Sequence, residues 1–193
     1  MSLDGFIAGP KDGPKHPLGQ RGGEHIFDWY FTGAKHRPAG SMFAPAGNNR
    51  KVVDAMFEEA GAMLTGRRTY EIAKGWNGTH PVNAIPVIIV THRPPKNPPQ
   101  GKSKLIFVTG GVRRAVARAK KAAGKKAVGI GSASVAQQAL KAGLVDEIYL
   151  HIAPILLGTG VRLFDGLQRT IKLEKIEVID GPQATHVRYR VVR

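Results

Sequence analysis

The chain has 193 residues, of which 42% are hydrophobic, and a formal net charge of +15 at pH 7. This length and apolar content predict one domain spanning residues 1–193 with a sizeable core. The chain has no cysteine, which excludes disulfides and thiolate metal sites and is compatible with a cytoplasmic location. No run approaches the roughly 18 apolar residues of a membrane span, so no membrane partner is expected.

In chain order, the first long segment lacks a clear period. Residues 5–47 are rich in Gly and Pro and are predicted to form a long loop beside the active site, with one apolar cluster at 25–31. Regular periods begin at Asn49. Helices are predicted at 49–60, 69–73, 112–123 and 134–142, and strands at 62–66, 85–91, 104–109, 127–131 and 146–154.

This alternation predicts an α/β fold with a mostly parallel central sheet flanked by helices, because parallel strands need crossover connections. The C-terminal segments differ, since residues 172–179 and 185–192 alternate in polarity around a short turn. They are predicted to form an antiparallel hairpin that closes the sheet.

The positive charge allows two interpretations. Seven Lys and Arg fall between Arg113 and Lys126 with no acid among them. They form either the solvated face of an amphipathic helix, with Val112 and Val116 on its apolar stripe, or a surface for a polyanion such as nucleic acid. The solvated face is favoured because most charge runs in globular chains are of this kind.

Three junctions after predicted strands carry small or cationic residues. The first is "LTGRRTYEIAKGW" (64–76), where Gly66, Arg67 and Arg68 separate a strand from a helix. A strand end followed by a helix start offers unpaired N–H groups and a positive dipole end, which suits a phosphate. The alternative is a surface turn with two solvated arginines.

The second junction is "GIGSASVAQQAL" (129–140), where small residues leave room for a pyrophosphate to approach the backbone. Ser134 and Gln137 fit a capping box that would mark the helix start. The alternative is an ordinary tight junction between strand and helix, and the glycine spacing matches neither the common dinucleotide fingerprint nor a Walker loop.

The third junction is "VTHRPP" (90–95), where Thr91, His92 and Arg93 follow a strand and are either a phosphate site or a polar turn before two prolines. In open α/β sheets, ligands lie outside the carboxyl ends of the strands. Three such sites together therefore favour an extended nucleotide over any smaller ligand.

These motifs, in order along nearly the whole chain, resemble the dihydrofolate-reductase-like superfamily. The matching segments are "MSLDGFIAG" (1–9), "GRRTYE" (66–71), "PVIIVTHR" (86–93), "GIGSASVAQQAL" (129–140) and "DEIYLHIAPILLGTGVRLF" (146–164). The branch is the one similar to the C-terminal reductase domain of riboflavin biosynthesis. The resemblance implies an NADPH-dependent reductase that transfers a hydride to a small pyrimidine- or pterin-like substrate, commonly as a homodimer.

The resemblance also implies roles for individual residues, three groups of which would bind the cofactor. The phosphate side would be lined by Gly66, Arg67, Arg68 and Thr69, and the adenosine 2′-phosphate would be surrounded by Thr91, His92 and Arg93. The pyrophosphate would be held by Gly129, Gly131, Ser132, Ala133, Ser134 and Val135, with Gln138 nearby. An arginine beside a 2′-phosphate distinguishes NADP from NAD by charge.

By the same resemblance, Asp4 in "SLDG" is the substrate-side carboxylate that hydrogen-bonds to ring nitrogens and favours protonation as the hydride arrives; the alternative is a turn residue before Gly5. Dihydrofolate reductases carry a substrate carboxylate about where this chain has Arg50, which disfavours folate. Ser132 stands where relatives have glycine. Relatives also have an apolar strand directly before SLDG, which is mostly absent from the sequence that begins at Met1; either the true start lies upstream, or another part of the chain fills that place in the sheet.

Other residues point to no further chemistry. The aromatic Trp29, Tyr30 and Trp76 are interpreted as packing residues in preference to pocket residues. The seven histidines lack paired ligand spacing, so no catalytic metal is expected. Two alternatives to a reductase stay open: a basic nucleic-acid-binding protein on the same fold, and a cofactor-binding protein without turnover.

Overall fold

The computed structural model describes residues 1–33 and 43–193. It contains two compact units. Unit 1 comprises residues 1–12, 18–56 and 145–193, and unit 2 comprises residues 13–17 and 57–144. The single domain expected over 1–193 stays a prediction, and part of the expected loop at 5–47 falls on residues outside the described ranges.

Helices and strands alternate through the middle of the chain. The helices are a 3-10 helix at Gly23–Phe31, α1 (Gly47–Glu59), α2 (Arg67–Ile72), α3 (Gly111–Ala123) and α4 (Ala133–Lys141). The strands are β1 (Phe6–Ala8), β2 (Ala60–Gly66), β3 (Val87–Val90), β4 (Leu105–Val108), β5 (Ala127–Ile130), β6 (Glu147–Ile152), β7 (Val161–Arg162), β8 (Leu173–Gly181) and β9 (Ala184–Val191).

Unit 2 is built on a four-stranded parallel sheet in the order β4-β3-β2-β5. Helix α3 connects β4 to β5 and buries its alanine-rich stripe, including Ala115 and Ala119, against Leu64 and Ile88 of the sheet. The charged residues of α3 lie on its exposed face. The amphipathic helix predicted from the charge run is therefore confirmed, as is the parallel sheet flanked by helices.

A second, smaller core of unit 2 packs Tyr70 with Val87 and Ile89. Partly buried Trp76 contacts this core, as the packing interpretation expects. The backbone from Lys74 to Gly78 is left-handed at every residue, with φ between 48° and 77°. A run of this kind is disfavoured for L-residues, so the surrounding structure must hold it.

Unit 1 contains an antiparallel sheet in the order β6-β9-β8 and the pair β1-β7. The hairpin β8-β9 confirms the antiparallel C-terminal prediction. The expectation that it closes the parallel sheet was wrong, because β9 pairs with β6 in a separate three-stranded sheet. The N-terminal residues run along β6, where Ser2 forms a parallel bridge with Ala153.

The expected irregular loop at 5–47 was wrong at two places. Residues Phe6–Ala8 form a strand because they pair with Val161–Arg162, far along the chain. The apolar cluster at 25–31 lies within the 3-10 helix, which buries Ile26 and Trp29. Trp29 is 2% exposed, which confirms its interpretation as a packing residue.

Candidate functional site

The carboxyl ends of three neighbouring strands of unit 2 carry the predicted cofactor residues. Strand β2 lies between β3 and β5, and Gly66 is in register with Val90, as Leu64 is with Ile130. The segments that follow these strands therefore leave the sheet side by side. Tertiary structure brings all three predicted phosphate-binding junctions to one edge, as expected for parallel strands.

Arg67 connects two of these junctions. Its Nε donates a hydrogen bond to the Glu71 carboxylate at 2.7 Å, and its Nη1 donates to the backbone carbonyl of Arg93. The guanidinium also lies 6.0 Å from the ring centre of Tyr70. Two of its donors are thus engaged, which fixes a positive charge beside the ends of β2 and β3.

Thr91 shapes the junction after β3. Its side chain is buried, and its hydroxyl accepts a hydrogen bond from the Arg93 N–H and donates to the Arg93 carbonyl, each at 3.2 Å. These two hydrogen bonds close a short turn of the type that threonine hydroxyls form with the nearby backbone. His92 and Arg93 are exposed, so their side chains can reach a ligand.

The junction after β5 is tightly packed against that after β2. A Cβ added to Gly66 would lie 3.1 Å from the Ser132 hydroxyl and 3.4 Å from a Val135 methyl. The absence of a Cβ at position 66 therefore lets the two junctions approach closely without displacing Ser132. The backbone N–H of Gly131 donates to the Leu64 carbonyl at 3.0 Å, which ties the junctions together.

Helix α4 begins two residues earlier than the capping-box prediction. Its N-cap is Ser132, which makes no side-chain capping bond, so the capping box of Ser134 and Gln137 is wrong. Ser134 is exposed, and its carbonyl instead accepts a bond from Gln138 at 3.1 Å. Since the Ser132 hydroxyl caps no N–H, the first-turn N–H groups of α4 remain suited to an anion.

The remaining predicted residues have mixed surroundings. On α2, Arg68 is exposed and Thr69 is half-buried. Ala133 and Val135 are buried, and the Val135 side chain packs in the core beneath the sheet edge. Only the backbone of these two residues can contact a ligand.

Met63 and Glu71 belong to this edge but were missed in the sequence. The Met63 methyl would lie 1.9 Å from a Cβ on Gly131, and its sulfur 3.7 Å from one on Gly129. Gly131 therefore makes room for the methionine side chain, whereas a Cβ on Gly129 would be in ordinary van der Waals contact with it. The spacing of Arg67 and Glu71, four residues apart on a helix, was a signal for their ion pair, whereas nothing local indicated Met63.

Asp4 lies in unit 1, where it holds a turn. Its carboxylate oxygens accept backbone hydrogen bonds from Leu157 at 3.1 Å and Gly158 at 2.7 Å. A hydrogen bond from the Ser2 side chain, with these backbone bonds, lowers the pKa of Asp4 to about 2. Asp4 is therefore ionised at neutral pH and can accept hydrogen bonds but cannot donate a proton.

Two properties of the described ranges bear on other classes of site. In residues 1–33 and 43–193, no group of three or more His, Cys, Asp or Glu side chains is placed to hold a metal ion. Within the same residues, no helix is both long and apolar enough to cross a membrane.

The sequence matches the family model described as "RibD C-terminal domain" over residues 1–186. The chain belongs to this family. That assignment confirms the resemblance inferred from the motifs, and with it the dihydrofolate-reductase-like α/β fold.

The chain is similar to three further proteins. The uncharacterized protein YwjB of Bacillus subtilis (strain 168) is 25% identical over 133 residues, covering 69% of this chain and 75% of YwjB. A putative riboflavin biosynthesis protein from Shewanella sp. PV-4 is 24% identical, with a TM-score of 0.69, over 100% of this chain and 96% of that one. Dihydrofolate reductase from Enterococcus faecalis, complexed with NADP(H), is 17% identical, with a TM-score of 0.51, over 81% and 90%. These likenesses indicate a reductase-like fold.

Proposed function

We propose that the protein is an NADPH-dependent reductase of a small heterocyclic substrate. The observation that carries the proposal is the convergence of Arg67, Arg93 and the α4 N-terminus at one edge of the parallel sheet. Family membership supports it, as does the NADP(H) bound by the similar Enterococcus faecalis enzyme.

The residues at this edge fit a dinucleotide with an additional phosphate. Arg67 supplies a positive charge that its hydrogen bond with Glu71 holds in place, and Arg93 supplies a second one on an exposed side chain. The Ser132 hydroxyl caps no N–H of α4. Gly66 has no Cβ that could separate the two junctions. Arg93 and His92 would hold the 2′-phosphate, and the first turn of α4 would hold the pyrophosphate.

The chemistry that NADPH supplies when bound is hydride transfer. The role of the chain is to bind and orient the reactants and to exclude water. The ion pair with Glu71 keeps the Arg67 guanidinium in place before any ligand arrives, so less side-chain entropy is lost on binding. Thr91 does the same for the turn that presents Arg93.

Asp4 is proposed to contact the substrate as a hydrogen-bond acceptor. Since its pKa is lowered to about 2, Asp4 is not the proton donor, and the proton that follows the hydride comes from water. The exposed Arg50 stands where dihydrofolate reductases carry the carboxylate that binds their substrate, so the substrate is proposed to be a pyrimidine-like heterocycle other than folate.

The test is cofactor binding measured by isothermal titration calorimetry with NADPH and NADH. Arg93→Ala is expected to weaken NADPH binding about 10- to 100-fold and to leave NADH binding unchanged, because a charge-assisted hydrogen bond contributes about 1.5–3 kcal/mol. Arg67→Ala is expected to weaken both. Arg118→Ala, which removes the same charge from the opposite edge of the sheet, is the control.

Absence of NADPH binding by the unmodified protein at near-millimolar cofactor would refute the proposal. A cofactor-binding protein without turnover would bind NADPH but would not oxidise it, as measured by absorbance, with any substrate of the proposed class.

We further propose that the protein is a homodimer. Strand β8 is the last strand of its sheet, and Ile176 and Val178 on it are 41% and 51% exposed. An exposed apolar edge strand of this kind is suited to pairing with a second copy. Light scattering should give a dimer that Val178→Glu dissociates, whereas Val192→Glu, at an exposed valine outside the strands, should leave it intact.

A further inference from the structure

The positive charge of the protein is concentrated in unit 2. Residues 13–17 and 57–144 contain 16 Lys and Arg against three acids, so this unit carries +13 of the net +15. Between Glu71 and Asp146 the chain contains no acid. Such a concentration of positive charge attracts polyanions, and the fold itself does not require it.

Part of this charge surrounds a groove between the edge strand β4 and helix α3. Its floor consists of Pro86, Ile106 and Ala122, and the side chains of Lys104, Arg118 and Lys121 line it. All three cations are exposed, and none forms a salt bridge with an acid in residues 1–33 and 43–193.

The groove is distinct from the proposed cofactor site. Lys104 directly precedes β4 and Pro86 directly precedes β3, so the groove lies at the amino-terminal edge of the parallel sheet. The proposed cofactor residues lie beyond the carboxyl ends. NADPH held at one edge therefore does not account for the cations at the other.

The same edge also contains two acids and further cations. Glu58 and Glu59 end helix α1, directly before β2, while Lys125 and Lys126 directly precede β5. Lys126 Nζ donates to the backbone carbonyl of Glu58 at 2.7 Å. Positive charge thus exceeds negative charge at this edge even with both carboxylates counted.

The surface chemistry favours double-helical nucleic acid over a membrane surface and over single-stranded nucleic acid. All of the large apolar side chains that are exposed in the described ranges, including Leu3, Leu156 and Val178, belong to unit 1. The apolar residues of the groove form its floor, and no large apolar side chain is exposed there that would insert into a bilayer. The groove also has no aromatic side chain on which unpaired bases would stack.

We propose that Lys104, Arg118 and Lys121 form a binding groove for the phosphate backbone of double-helical nucleic acid. Arg118 and Lys121 are three residues apart and lie on the same face of α3, and they line the groove together with Lys104, which directly precedes β4. Contacts of this type fix position without reading sequence. The inference does not depend on reductase activity.

The experiment measures binding of a fluorescent 20-base-pair duplex by anisotropy as a function of salt, with full-length protein. The test variant is the triple substitution Lys104→Gln, Arg118→Gln and Lys121→Gln. The control is Lys15→Gln, Lys74→Gln and Lys96→Gln, which removes equal charge from exposed positions elsewhere in unit 2. Circular dichroism melting checks that both fold.

We expect the unmodified protein to bind duplexes of unrelated sequence with similar affinity. The test variant should reduce the slope of log K against log[salt] by about 2.7 and the affinity at 0.1 M salt by on the order of 100-fold, since each phosphate contact contributes a slope of about 0.9. The control should retain most of the affinity, and NADPH binding should be unchanged in the test variant.

Three outcomes would overturn the proposal. They are no duplex binding at low salt, equal losses in the test and control variants, and tighter binding to anionic phosphatidylserine vesicles or to single strands than to the duplex.

Discussion

Asn49 Oδ1 accepts a hydrogen bond from Nε2 of His186 at 3.0 Å, with both residues fully buried. The amide orientation follows from its other end, where Nδ2 donates to the carbonyls of Trp29 and Pro182 at 2.9 Å and 2.8 Å. Since Oδ1 cannot donate, Nε2 of His186 carries a hydrogen. In the neutral ring, Nδ1 of His186 then accepts from Nδ1 of His151, 2.8 Å away.

This chain of bonds predicts that folding stability falls on mild acidification. Burial, and then the neighbouring His186, lower the pKa of His151 to about 3, and burial lowers the pKa of His186 although Asp180 opposes it. Both rings are neutral when folded but take up protons near pH 6.5 when unfolded. Their contribution to stability is complete above pH 6.5 and decreases as the pH falls below it, and for His151 the loss continues toward about pH 3.

Urea unfolding between pH 7.5 and 4 measures this loss, which is at most about 1.4 kcal/mol per pH unit for each histidine. His151→Gln removes one titrating group and should flatten the dependence. His16→Gln, at an exposed position, is the control. A dependence equally steep in His151→Gln and in the unmodified protein would contradict the assignment.

Asn49→Asp should destabilise the protein strongly, whereas the same change at the neighbouring Asn48 should not. An aspartate at 49 would face the Trp29 and Pro182 carbonyls without a donor, at an expected cost of about 3 kcal/mol or more. Asn48 is exposed and donates one bond to the Asp180 carbonyl at 2.8 Å. Denaturant midpoints of the two variants compare these environments directly, and equal midpoints would show that the buried amide is dispensable.

The contact of Gly66 with Ser132 predicts a non-additive pair of substitutions. Gly66→Ala alone places a Cβ 3.1 Å from the Ser132 hydroxyl and should cost about 1–3 kcal/mol. Ser132→Gly removes that hydroxyl, so adding it to Gly66→Ala should recover part of the loss. A double-mutant cycle in urea measures the coupling, and strict additivity would mean that the two junctions do not constrain each other.

The left-handed turn at 74–78 predicts that alanine substitution will cost much more stability at Gly78 than at Gly124, although both glycines have positive φ. Gly78, at φ 77°, would place a Cβ 2.4 Å from the Gln100 backbone, whereas Gly124, at φ 63°, faces open space. Gly124, with ψ −119°, should lose only the backbone term of about 1–3 kcal/mol on substitution by alanine. Gly78→Ala adds a backbone clash and should cost at least twice as much in thermal or urea unfolding, so similar costs would contradict the packing described for this turn.

Much of unit 2 was predictable because its signals are local. Apolar runs separated by helical periods predict parallel strands, and parallel strands place Arg67, Thr91 and Gly131 at one edge without further information. The amphipathic pattern of 112–123 likewise predicted which face of α3 is buried. The hairpin β8-β9 followed from alternating polarity on either side of a turn.

The sequence by itself determined the α/β alternation, the order of the phosphate-binding junctions and the excess of positive charge, since each depends on residues close together in the chain. Only the tertiary structure decided the pairing of Phe6–Ala8 with Val161–Arg162, the place of Met63 against Gly131, and the network of Trp29, Asn49 and His186. These features join residues from 20 to more than 130 positions apart. No local pattern encodes such contacts, because their free energy arises only when distant segments pack together.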